Sequence, residues 1–84
     1  MPYIAKERRS LVKVGYKPGF RFESAGELNY LFTETLIRYM KDKGLSYQTI
    51  NDIVGALEGC KMEFIRRVVN TYEDSKITEN GDCY

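Results

Sequence analysis

Apolar residues recur at helical spacing for longest between Ser46 and Tyr72, SYQTINDIVGALEGCKMEFIRRVVNTY. Ile50, Ile53, Val54, Leu57, Phe64 and Val68, with Lys61 among them, step by three or four, which at about 100° per residue keeps them on one stripe. The spacing predicts an amphipathic helix over about 46–71. At about 1.5 Å per residue it is roughly 40 Å long, more than a compact monomer of this size needs.

A second helix precedes it. Ser24-Ala25-Gly26-Glu27 has the S-x-x-E form of a capping box, in which the serine hydroxyl accepts the amide three residues on and the glutamate reaches back to the serine amide. Leu28, Phe32, Thr35, Leu36 and Tyr39 then share a stripe until Lys41, Lys43 and Gly44 supply a basic last turn and a stop. The predicted helix is about 25–43. Leu45 and Ser46 leave so short a link that the two helices are expected as an antiparallel hairpin, with Leu57 and Phe64 buried against Leu28, Phe32 and Leu36.

The flanks are less regular. Residues 1–4 read as extended. Ala5 to Val14 suits one or two helical turns, with Lys6, Arg8 and Arg9 outward and Leu11 and Val14 inward, although Val12 and Val14 also suit a strand. Gly15 to Glu23, with two glycines and a proline, is a loop whose Tyr16, Phe20 and Phe22 serve as core cover. The long helix should fray over Asn70 to Asp74, leaving residues 73–84 as an ordered acidic tail that folds back on the bundle or on a neighbour. The expected fold is all-α and a single domain over 1–84: a basic arm and loop (1–23), a helical hairpin (24–72) and a tail (73–84).

Composition narrows the function classes. The chain has 84 residues, 43% hydrophobic and 30% charged, which is ordinary for a globular protein. With no histidine and two cysteines, Cys60 and Cys83, it offers few ligands to zinc or an iron–sulfur cluster and no disulfide framework. No metal site and no cofactor are expected. The absence of a membrane-length apolar run points to a cytoplasmic protein with no membrane partner. Net charge is +1, but six basic and two acidic side chains lie in residues 1–23 and one basic and four acidic in residues 72–84. The ends can pair with each other, or the arm with an anion. So small a net charge argues against nucleic acid as a partner.

Both predicted helices carry apolar or small residues away from the hairpin seam. Opposite Leu57 lie Gly55, Gly59, Met62 and Arg66, and opposite Phe32 lie Tyr30 and Ile37. Two glycines within a helix each cost about 1 kcal/mol relative to alanine, which is understandable if another backbone approaches there. Tyr30, Ile37, Gly55, Gly59 and Met62 are therefore candidate interface residues of a homo-oligomer.

No phosphate loop, nucleophile elbow or metalloprotease signature is present. Glu58 and Glu63, five apart, point about 140° from each other and make no facing carboxylate pair. The chain is accordingly read as no enzyme. Arg66-Arg67 offers planar donors suited to phosphate or carboxylate, with Tyr72 one and a half turns on. The plainer alternative pairs Glu63 with Arg67 and leaves Arg66 to solvent.

The start MPYI-x-K-E-x-R, the SAGELNYL segment, the E-x-x-K-x-E-F-x-R-R run and the ending YED-x-K-I-x-E-N-G-D-x-Y resemble a family of small uncharacterised proteins of phages, prophages and bacteria. The resemblance spans nearly the whole chain and departs from the family pattern at Asn70-Thr71 and Cys83. It implies no active site. The resulting expectation is a non-enzymatic oligomeric binding protein, a phage or prophage factor that sequesters a small anionic ligand such as a nucleotide immune signal. Arg8, Arg9, Arg66 and Arg67 would grip phosphate, and Tyr30 or Tyr72 would stack on a base. The alternative is a protein–protein inhibitor or adaptor with no small ligand.

Overall fold

A computed structural model describes residues 4–84. Met1 to Tyr3, and with them most of the expected extended start, lie outside the described residues. Among the described residues the fold is all helical: α1 (Lys6–Val12), α2 (Ala25–Lys43), α3 (Tyr47–Phe64), a π-helical turn (Ile65–Val69) and α4 (Asn70–Asn80). They fall into two compact units, one ending at Thr49 and one running from Ile50 to Tyr84.

The first unit is α1 packed on α2. As the sequence predicts, Ser24 Oγ accepts the Glu27 amide at 3.2 Å. The Glu27 carboxylate reaches one residue further back than expected, to the Glu23 amide at 3.0 Å. Gly44, with φ +86°, ends α2 by donating its amide to the Met40 carbonyl at 2.8 Å.

Two expectations about α1 are overturned. Leu11 and Val14 remain largely exposed, while Val12 is completely buried. Arg8 turns inward, its guanidinium bonded to Glu27. Positions 8 and 12, one turn apart, thus make the inner face. On α2 the face turned inward carries buried Glu27 and partly buried Tyr30, Leu31 and Glu34, while Leu28 and Phe32 are more than a third exposed. Tyr30 is therefore not on a free outer face.

The loop after α1 closes over this contact. Phe20 and Phe22 meet edge to face at 4.9 Å between ring centroids, and the Arg8 guanidinium lies 6.0 Å from the centre of the Phe20 ring. Gly15 sits where a Cβ would come within 2.9 Å of the Val12 carbonyl oxygen, 3.0 Å of Phe22 and 3.2 Å of Leu31. Gly15→Ala should destabilise the fold by about 1–3 kcal/mol, because the nearest obstacle is backbone and cannot swing aside. Denaturant unfolding checks this, and an unchanged midpoint would contradict it.

The second unit is built on one helical run. Ser46 caps it, its hydroxyl accepting the Thr49 amide at 3.1 Å. The run continues without a break through the π turn, where the Asn70 amide bonds the Ile65 carbonyl, and on to Asn80. The expected fraying at 70–74 and the fold-back of residues 73–84 are thereby corrected: residues 70–80 are helix, closed at Gly81. Local bonds support the extension, with the Thr71 and Thr78 hydroxyls donating to the Arg67 and Asp74 carbonyls and Lys76 pairing with Glu79 at 3.2 Å.

A single helix has no second element in its own unit to cover its stripe. Leu57 stays 42% exposed and Phe64 58%, with Ile50, Val54 and Val68 exposed beside them. Within its own unit the helix therefore leaves Leu57 and Phe64 uncovered.

Candidate functional site

The arginine pair of the long helix stands in the π turn. A π turn holds one more residue than an α turn and is frequent at functional sites. Here it brings Arg66 and Arg67 to one acceptor. Arg66 Nη2 donates to Glu63 Oε1 at 2.7 Å and Arg67 Nε donates to the same oxygen. Arg66 first and Arg67 second hold the Glu63 carboxyl below its ordinary range. Both arginines are mostly exposed, and two guanidiniums sharing one carboxylate leave the cluster one positive charge in excess.

Beside this cluster runs a shallow groove lined by Gly59, Met62, Glu63, Ile65, Arg66 and Asn70. Gly59 supplies its floor, since nothing lies within 4 Å of the Cβ it lacks; the same holds for Gly55. The groove joins a proposed ligand residue, Arg66, to the proposed interface residues Gly59 and Met62. Tyr72 is exposed outside it, with the Lys76 ammonium 5.4 Å from its ring centre. The carboxylate partner of the two arginines is Glu63, and the Asp82 carboxylate accepts the Tyr84 amide at 2.9 Å.

The other predicted ligand residues belong to the first unit. Arg8 is committed to structure: its Nε and Nη2 donate to the two Glu27 oxygens at 2.6 and 2.8 Å, and Nη1 lies 3.5 Å from Glu23. Glu27 is 3% exposed, and the Arg8 hydrogen bonds followed by the Glu23 amide pull its carboxyl down to about 2. An arginine so engaged is not available to a ligand. Tyr30 hydrogen-bonds Glu34; burial, then this carboxylate, raises the Tyr30 hydroxyl above its ordinary range, while the Arg9 charge opposes the rise. Arg9 Nε is buried and has no hydrogen-bond partner. Ile37, at 37% exposure, keeps an accessible side chain.

Sequence reasoning missed Glu27 as the partner of Arg8, Glu34 as the partner of Tyr30, and Ile65 and Asn70 as groove residues. The capping box marked Glu27 for a local role only, and a π turn has no composition signal. Among the described residues no helix is long and apolar enough to cross a membrane.

The family described as Domain of unknown function (DUF6899) matches residues 1–83. No curated protein and no solved structure matches the chain.

Proposed function

As the chain belongs to the DUF6899 family, whose description assigns no activity, we propose its function from its surface: a non-enzymatic protein that works as a homo-oligomer, its long helix serving as the contact element. The apolar stripe of the long helical run carries this reading. Ile50, Val54, Leu57, Phe64 and Val68 stand exposed along one side of the helix, and burying each such side chain in a partner gains about 1.5–3 kcal/mol at full burial. The proposed setting is cytoplasmic, where the free and exposed Cys60 and Cys83 would stay reduced. The test is melting temperature against protein concentration: assembly raises it with concentration, and a constant value over a hundredfold range opposes the reading.

A second reading is favoured by Arg66 and Arg67 around a single carboxylate: sequestration of a small anion such as a nucleotide signal, a role suited to a phage or prophage factor. It predicts that one compound in a nucleotide panel raises the melting temperature, and that replacing both arginines by glutamine abolishes the shift. The unliganded double variant should melt within a few degrees of the parent, because exposed ion pairs contribute little. If no compound shifts the parent, the protein-contact reading stands alone.

A further inference from the structure

The end of α4 is used neither by the apolar stripe nor by the arginine cluster. Its last residue is Asn80, and Gly81 follows. Both are exposed, Gly81 has φ +85°, and nothing lies within 4 Å of the Cβ it lacks. An asparagine side chain is attacked by the backbone nitrogen of the next residue most readily when that residue is glycine, which has no Cβ to hinder the approach. The other three asparagines lack this advantage. Asn29, Asn51 and Asn70 lie within helical runs and precede Tyr30, Asp52 and Thr71.

The reaction balances with water alone as co-reactant. Base from the solvent removes the Gly81 amide proton, the nitrogen bonds to Asn80 Cγ, and the Cγ–Nδ2 bond breaks to release ammonia. The product is a cyclic imide, which water opens at either carbonyl. Opening at Cγ leaves aspartate at position 80, and opening at the backbone carbonyl leaves an isoaspartyl link, in which the chain runs through Cβ and Cγ. Either way a neutral amide becomes a carboxylate, and the isoaspartyl form also lengthens the main chain by a carbon.

The fold both restrains this chemistry and registers it. The Gly81 amide donates to the Ile77 carbonyl at 2.8 Å, and the helical backbone at Asn80 keeps the nitrogen turned to that oxygen. Attack therefore waits for the last turn to open, which is easy at a helix end. After reaction the cap is weakened in two ways. The new carboxylate meets the negative end of the helix dipole, and the longer isoaspartyl chain displaces the Gly81 amide from Ile77. Residues 72–84, with one basic and four acidic side chains, also gain a further negative charge.

We propose that Asn80-Gly81 is a spontaneous modification site: the Asn80 amide is slowly converted to a carboxylate when the α4 cap opens, and the last helical turn is lost. The inference is independent of the oligomer and anion readings.

Incubation of the full chain in mildly alkaline buffer at physiological temperature, followed by intact mass measurement and peptide mapping, tests it. Exchange of amide for carboxylate is expected at Asn80 and at none of Asn29, Asn51 and Asn70, and Asn80→Gln should abolish it. Unfolding in urea should speed the conversion by about threefold or more, since the cap no longer holds the Gly81 amide. The modified fraction, separated by its added negative charge, should show weaker helical circular dichroism than the parent. An unchanged Asn80, or conversion spread over the other asparagines, overturns the site. Equal rates in the folded and unfolded chain overturn the restraint by the cap, and a modified fraction with the parent's circular dichroism overturns the loss of the turn.

Discussion

Arg8→Met should lower the melting temperature by roughly 10 °C or more, the largest effect of any single change outside the glycines. The substitution keeps most of the apolar stem but removes both donors to Glu27, which is 3% exposed and has no other cation bonded to it among the described residues. An ionised carboxylate would then be buried against α1 with only the Glu23 amide to satisfy it. The pH dependence separates this cause from lost packing. The Glu27 carboxyl titrates near 2 in the folded chain and near its ordinary 4.5 in the unfolded one, so the unfolded state binds the proton first as pH falls. The stability that Glu27 contributes is complete above about pH 4.5 and is lost as pH falls through that value toward 2. In Arg8→Met this acid slope should largely vanish, because the folded carboxyl no longer titrates below the unfolded one. A variant that keeps both the melting temperature and the slope would show that the pair does not hold α1 on α2.

The second large effect is expected at the stripe. Leu57→Glu with Phe64→Glu should remove most of the dependence of melting temperature on protein concentration, while far-ultraviolet circular dichroism at low concentration changes little. Both side chains are substantially exposed within the chain, so a monomer loses little packing when they are replaced. In an assembly the same positions would bury two unpaired carboxylates, each costing several kcal/mol unless it is protonated or paired. If the double variant unfolds at every concentration, the two residues belong to an intrachain core. If it melts like the parent and with the same concentration dependence, the stripe is not a contact surface.

These expectations show which parts of the chain were legible. Ser24, Glu27, the basic last turn and Gly44 bounded α2 correctly because helix ends are set by local bonds among near neighbours. The inward turn of Arg8 was not legible, since its partner lies nineteen residues away across a loop and an i,i+4 pattern carries no information about it. The helix past Tyr72 was underestimated for a different reason. Asn70 and Thr71 are weak helix formers, but each costs only some tenths of a kcal/mol, and adding residues to an existing helix is far easier than nucleating one. The run therefore continues to the first real stop, at Asn80 and Gly81. Arg66 and Arg67 were singled out for their chemistry alone. The π turn that gathers both onto Glu63 depends on backbone geometry that residue types do not encode in any simple pattern.

The stripe itself was legible as a stripe, and what covers it was not. Periodicity identifies the apolar face of a helix, but not whether the cover comes from the same chain. That question carries the functional account and has a direct answer in solution mass. Sedimentation equilibrium of the unmodified protein from about 1 to 100 μM should give a mass that is a multiple of 9.8 kDa and that falls as the sample is diluted. A mass of 9.8 kDa at every concentration would contradict the account, leaving an exposed apolar helix with no second copy to cover it.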